Sequence, residues 1–193
     1  MEKVVNYIVK QMIKNQEIEE QERDVYCYGV RNGIMIALNW CVIIITGIWY
    51  ACLAEMLVFA TGYSVLRSNA GGFHMTTHKK CFVFSVLLYQ LVACFLSKCR
   101  ISFLMYTTVL LIGVAMIFLL APIENENKLL DEKEQRVYGI RARCIVMLLG
   151  GIGILCERFL WFHFANAFAC AIILTVVLCL VGIISNVKRK IYP

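Results

Sequence analysis

The sequence has few charged residues and few of the residues that break helices. Only 17% of its 193 residues are charged, and it contains two prolines and twelve glycines. Soluble domains carry about 25% charged residues, so a water-soluble globular protein is not expected. The scarcity of proline and glycine excludes a collagen-like repeat and a Pro/Gly-rich linker. With 61% of the residues hydrophobic, the chain is also unsuited to a disordered state in water.

The ten cysteines lack any pair with CxxC spacing. Most of them lie inside apolar runs, where a free cysteine behaves as a small buried hydrophobe. Neither a disulfide framework nor a cysteine-rich zinc site is therefore predicted. The net charge is +6, but no block of Lys and Arg is interleaved with aromatic residues, so nucleic-acid binding is not expected.

Long apolar runs fill most of the chain after residue 32. Residues 33–66 would form a helix of ~51 Å, too long to cross a hydrocarbon core of about 30 Å once, so we interpret them as two short spans that turn near residues 51–55. Pro122 is expected to end the fourth span. The sequence predicts an all-α polytopic membrane protein with about six transmembrane helices, at residues 33–50, 51–66, 81–97, 101–121, 139–156 and 160–184.

Residues 1–24 differ from the rest because apolar residues recur there at helical spacing between charged ones. This pattern predicts an amphipathic helix, which either lies in the membrane interface or packs on the protein's own membrane domain. With six spans and a cytoplasmic N-terminus, sixteen of the nineteen Lys and Arg residues are cytoplasmic. This split obeys the positive-inside rule and places residues 67–80 and both termini in the cytoplasm. We expect a single domain over residues 1–193, with the six-helix part at 33–185.

Residues 67–81 combine Arg67, a Gly-Gly pair, two histidines, two lysines and Cys81. A cysteine becomes a nucleophile when nearby histidine or cationic groups favour its thiolate. On a continuous helix His78 lies one turn from Cys81, whereas His74 lies ~10.5 Å away and reaches it only if the chain folds back. Gly71 and Gly72 permit such a backbone. Spacing alone therefore favours His78 as the base.

Other interpretations of this segment stay open. A loop rich in histidine and lysine is commonly a solvated cytoplasmic loop. His74, His78 and Cys81 also have a spacing that suits zinc, but no glutamate lies between the histidines as in HExxH hydrolases. A small transporter or permease component would need ionisable residues in mid-span, and a partner-recruiting scaffold would give Cys81 no individual role.

The pattern resembles the accessory gene regulator B (AgrB) family, the membrane-embedded cysteine endopeptidases of bacterial peptide quorum sensing. The matching residues are Arg67, the turn from Gly71 and Gly72 to His74, Cys81 after six further residues, and Ser85 one helical turn later. The resemblance implies that Cys81 is the nucleophile and His74 the general base, against the spacing argument. It also implies that Arg67, Gly71, Gly72 and Ser85 support the site or bind substrate.

The resemblance further implies a bacterial cytoplasmic-membrane enzyme with its active site facing the cytoplasm. Its substrate would be a small AgrD-like precursor, which loses its C-terminal tail and is cyclised through an acyl-thioester to a thiolactone or lactone autoinducing peptide. Residues 67–81 would then form the catalytic loop and helix start. No metal or cofactor is expected. Membrane lipid is an expected partner, and a homodimer is considered because such assemblies are common among polytopic enzymes with short cytoplasmic loops.

Overall fold

A computed structural model describes residues 2–15, 17–73, 77–99, 103–123 and 131–191, without the side chains of residues 78 and 188–191. In these ranges the regular structure is helical and no strand is found; Gly71 and Ile123 form an isolated bridge. The α-helices are α1 (Glu2–Lys14), α2 (Arg23–Trp49), α3 (Leu53–Ala70), α4 (His78–Lys98), α5 (Phe103–Leu120), α6 (Glu132–Arg158) and α7 (Phe162–Ile191), and a 3-10 helix covers Glu20–Glu22.

The chain forms two compact units, Met1–Val42 and Ile43–Pro193. In the first unit, the Arg31 guanidinium on α2 pairs with the Glu2 carboxylate on α1 at 2.7 Å. Val5 and Val9, one turn apart on α1, are fully buried, whereas Tyr7 is exposed. The predicted N-terminal amphipathic helix is therefore confirmed, although it ends at Lys14 and not at residue 24. Burial of the two valines means that this part of its apolar face packs on protein.

Among the described residues, five helices are long and apolar enough to cross a membrane: residues 20–49, which include α2, and most or all of α4, α5, α6 and α7. Large apolar side chains on these helices are exposed, including Leu104 and Leu119 near the two ends of α5. Lipid can cover such side chains, whereas water would make their exposure costly. The prediction of an all-α polytopic membrane protein is confirmed.

The predicted second span is helix α3, and it is not one of these five helices. Its 18 residues carry Glu55 in the first turn and Arg67 in the last turn, which makes it less apolar than its neighbours. An 18-residue helix is ~27 Å long, close to the thickness of the hydrocarbon core. The chain turns between Trp49 and Leu53, near the predicted position, with Ala51 at a positive φ of 53°.

Helix α7 is the central helix of the second unit, with α3, α5 and α6 packed against it, whereas α4 makes few contacts with α7 and α3. Small residues allow this close approach. A Cβ added at Gly62 on α3 would lie 3.6 Å from the Ala171 Cβ on α7, and one at Gly113 on α5 would lie 2.7 Å from the Ile172 side chain. The packing brings the C-terminal end of α3 beside the C-terminal half of α7.

Candidate active site

The end of α3 is a turn that requires two glycines. Gly71 has φ +74° and Gly72 has φ +114°, a region that side chains disfavour. The Gly71 amide closes the last turn of α3 by donating to the Arg67 carbonyl at 3.0 Å. Added Cβ atoms would overlap the Ile123 carbonyl oxygen at position 71 and lie 3.0 Å from the Leu178 carbonyl oxygen at position 72. A side chain is thus excluded from position 71 by lack of space and is disfavoured at both positions by the backbone conformation.

Backbone hydrogen bonds to two distant segments hold this turn. The Ile123 amide, after α5, donates to the Ala70 carbonyl at 3.0 Å. The Phe73 amide donates to the Leu178 carbonyl on α7 at 2.9 Å. The turn is therefore fixed by α5 and α7 as well as by α3.

Arg67 connects α3 with the segment that follows the turn. Its Nη2 donates to the Phe73 carbonyl oxygen, and its guanidinium carbon lies 5.8 Å from the centroid of the Tyr63 ring, a cation–π geometry. Its Nη1 is buried and has no hydrogen-bond partner within the described ranges. Arg67 thus holds the Phe73 carbonyl, and its Nη1 is without an acceptor among the described residues.

Cys81 lies in the first turn of α4. Thr77 is the N-cap residue: its side-chain oxygen accepts from the Lys80 amide at 3.4 Å, and its carbonyl accepts from the Cys81 amide at 3.0 Å. Cys81 is partly exposed. Amide groups at a helix N-terminus stabilise negative charge placed near them. The start of α4 therefore favours negative charge in the neighbourhood of Cys81.

The facing sides of α3 and α4 form a polar cluster. Ser85 and Tyr89 follow Cys81 on α4 at intervals of four residues, which puts the three on one helix face. Tyr63 and Arg67 are related in the same way on α3. Cys81 is close enough to both tyrosines to interact with them electrostatically, as Arg67 also is. The Ser85 side chain also interacts with Tyr89 on this face.

The structure thus brings together Arg67, Gly71 and Gly72 at the turn, and Cys81 and Ser85 on the helix that follows. His74 and the His78 side chain lie outside the described residues. Helix α4 begins at His78 after an extended Thr77 (φ −131°, ψ 143°), so the ~10.5 Å separation expected for one helix from 74 to 81 does not apply. The spacing argument against His74 therefore no longer applies, and the choice of His74 over His78 as the general base stays a prediction.

Three residues near the site were missed by the sequence analysis. Tyr63 and Tyr89 lie one turn from Arg67 and Ser85, a helical spacing from which they could have been identified. Gly182 carries no local signal, because it approaches the turn only through the packing of α7. In the part of the chain that is described, no group of three His, Cys, Asp or Glu residues is arranged to hold a metal ion.

Fold and site together define a polytopic membrane protein with a cysteine at a helix start, beside an arginine and a buried Gly-Gly turn. The sequence model of the family described as AgrB, Accessory gene regulator B, matches residues 1–184, and the chain belongs to this family. It is similar to Putative AgrB-like protein 2 of Clostridium perfringens (strain 13 / Type A), with 18% identity over 143 residues that cover 70% of this chain and 67% of that protein. No solved structure matches the chain.

Membership in the family supports a role in the Agr quorum-sensing system, in association with peptide processing. It also implies an AgrD-like substrate as a partner. The recognition of the family from residues 67–85 is confirmed.

Proposed function

We propose that the protein is a membrane-embedded cysteine endopeptidase that removes the C-terminal tail of an AgrD-like precursor and cyclises the remaining peptide. The observation that carries the proposal is the position of Cys81, in the first turn of α4 and in the same polar cluster as Arg67 on α3, where both interact with Tyr63 and Tyr89, in a chain of the AgrB family. The amide groups at the start of α4 favour negative charge near Cys81, and the Arg67 guanidinium supplies a positive charge to the same cluster.

In the first step, the Cys81 sulfur attacks the carbonyl carbon at the cleavage site while His74 accepts the thiol proton. The tetrahedral intermediate collapses, the carbon–nitrogen bond breaks, and the leaving amine takes the proton back from His74. The products are the free C-terminal tail and an acyl-thioester on Cys81. The buried Nη1 of Arg67 is the donor that we assign to the oxyanion of this intermediate.

In the second step, a cysteine or serine side chain of the precursor attacks the same carbonyl carbon. His74 accepts its proton and passes it to the Cys81 sulfur as the thioester bond breaks. A cyclic thiolactone or lactone is released and the enzyme is regenerated, with no oxidant or reductant consumed. Exclusion of water favours this transfer over hydrolysis. Ser85, one turn below Cys81, lines the side on which the attacking group arrives.

The precursor would approach from the cytoplasmic side of the bacterial membrane. Lys79 and Lys80 are exposed beside Cys81 and would attract an acidic leaving tail. An active site on the cytoplasmic side requires that α3 crosses the membrane as the second of six spans. Labelling of cysteines introduced singly at exposed positions 68 and 79, in a variant whose ten native cysteines are replaced by serine, tests it: both should react with a membrane-impermeant maleimide in inside-out vesicles, and reaction in right-side-out vesicles would exclude this orientation.

Co-expression with the precursor tests the activity. Cys81→Ala should abolish tail release, a loss on the order of 10⁴-fold, because no other group supplies the nucleophile. Cys144→Ala is the matched control, since Cys144 is exposed on α6. Its cleavage should equal that of the unchanged protein. Tail release by a membrane-inserted Cys81→Ala variant would refute the cysteine-peptidase assignment.

A further inference from the structure

One region of α7 contacts the turn directly before His74. The Phe73 amide donates to the Leu178 carbonyl, and the buried Cys179 lies with its Sγ 3.9 Å from the Gly71 carbonyl oxygen. A Cβ added at Gly182 would lie 2.8 Å from the Phe73 backbone nitrogen and 3.0 Å from the Gly72 carbonyl carbon. We call residues 178–182 the α7 platform.

The need for glycine at position 182 follows from helix geometry. In an α-helix the carbonyl of residue i accepts from the amide of residue i+4, so the Leu178 carbonyl belongs to the turn that ends at Gly182. A carbonyl oxygen has a second lone pair and can accept another hydrogen bond. Because Gly182 has no side chain, the Phe73 amide can reach the oxygen from outside the helix.

Both peptide groups of Phe73 are therefore held from opposite sides. Its amide is fixed by α7, and its carbonyl is fixed by Arg67 on α3. The carbonyl belongs to the peptide group that ends in the nitrogen of His74, and the two Cα atoms are about 3.8 Å apart. A shift of the platform would therefore displace the Phe73 backbone, to which His74 is covalently joined.

We infer that Gly182 is a positioning residue of the proposed reaction: it lets α7 hold the Phe73 backbone and thereby aligns His74 with Cys81. This inference rests on the proposed function and adds a contribution from a helix that carries none of the proposed catalytic residues. A displacement of about 1 Å in a reacting group can cost ~100-fold in rate. An alanine at position 182 must displace the Phe73 backbone or α7.

The first test compares Gly182→Ala with Gly151→Ala, assayed for tail release in proteoliposomes. Gly151 lies on α6 with nothing within 4 Å of an added Cβ, so its replacement should leave kcat unchanged. Gly182→Ala should lower kcat by about 10- to 100-fold with KM for the precursor unchanged, since alignment and not binding is affected. Gly→Ala in a helix otherwise tends to stabilise it, so an unchanged kcat would overturn the inference.

The second test is a double-mutant cycle with His74→Ala, measured in single-turnover reactions. If Gly182 acts through His74, adding Gly182→Ala to His74→Ala should cause no further loss. A further loss by the same factor would mean that Gly182 supports the structure generally, and would overturn the inference.

A third comparison leaves α7 unchanged and applies even if Gly182→Ala does not accumulate in the membrane. Phe73→Pro removes the amide that donates to Leu178, whereas Phe73→Ala keeps it. We expect Phe73→Pro to be at least about 10-fold slower than Phe73→Ala. Equal rates would exclude a role for this hydrogen bond. Cys81→Ala is assayed in parallel to separate the two proposals. An active Cys81→Ala variant refutes the proposed function. An inactive Cys81→Ala variant together with a fully active Gly182→Ala variant refutes only the positioning role of Gly182.

Discussion

The two sides of the Gly71–Gly72 turn are built differently. On the α7 side, Cys179 is fully buried and lies near the Ala70 and Gly71 carbonyls, within the hydrophobic core of the second unit. On the α4 side, Cys81 is partly exposed at the start of a helix with few contacts to its neighbours. Of the two cysteines, only Cys81 lies at a helix N-terminus and is partly exposed.

The difference indicates a division of roles. The α7 side is fixed by a backbone hydrogen bond to the turn, and in the proposed reaction it supplies no catalytic group. The α4 side carries the polar groups, and its Cys81 is partly exposed. If this division is correct, changes on the α4 side should alter the chemical step, and changes on the α7 side should act only through position or stability.

The largest effect after loss of Cys81 itself is expected at the general base. His74→Ala should lower the rate of tail release by about 10²- to 10⁴-fold, the usual contribution of a positioned acid–base group. His78→Ala is the matched control. Its rate of tail release should stay within a few-fold of that of the unchanged protein, because we assign no proton transfer to His78. Single-turnover rates with equal membrane levels of each variant provide the measurement. Loss of activity in His78→Ala with full activity in His74→Ala would reverse the assignment.

A smaller but still large effect is expected at Arg67. Its guanidinium holds the Phe73 carbonyl while presenting Nη1 to another acceptor, which a lysine ammonium cannot do in the same plane. Arg67→Lys should therefore lower kcat by about 10- to 100-fold, and Arg67→Ala by about 10²- to 10³-fold. Ser68→Ala is a suitable control, because Ser68 is exposed on the same turn of α3. A fully active Arg67→Lys variant would refute the proposal that Arg67 uses two donor groups at once.

The smallest effect is expected on the α7 side at Cys179. Cys179→Ala removes a buried sulfur and should cost about 1 kcal/mol of unfolding free energy, visible as a lower Tm in detergent. Tail release at a temperature well below Tm should be unchanged. A loss of activity comparable to that of Cys81→Ala would show that both sides of the turn take part in the chemistry.

The fold was largely predictable because its signals are local. Each predicted span corresponds to a helix, α5 ends two residues before Pro122, and the Gly-Gly pair adopts the unusual backbone that its composition permits. Helix α3 also forms as predicted, but it is not one of the five helices apolar enough to span a membrane. Glu55 and Arg67 lower its apolar character. Charges at the two ends of a short helix weaken that signal without preventing the helix.

The surroundings of the site were only partly predictable. Arg67 and Cys81 could be recognised because they lie fourteen residues apart in one unusual segment. The contacts of the turn with Ile123 and Leu178 join residues far apart in the chain, and such pairs leave no pattern in a single sequence. The same holds for Gly182, which has no distinguishing neighbour on α7. Helix packing creates these contacts, and only the folded chain reveals them.

The most direct test of the account is to trap the acyl-enzyme. A precursor whose internal cysteine or serine is replaced by alanine cannot close the ring, so the peptide should remain attached to the enzyme after the tail has left. Peptide-resolved mass spectrometry should find the N-terminal fragment on Cys81 as a hydroxylamine-sensitive thioester, and on none of the other nine cysteines. Attachment to another cysteine, or tail release with no covalent adduct on Cys81, would contradict the account.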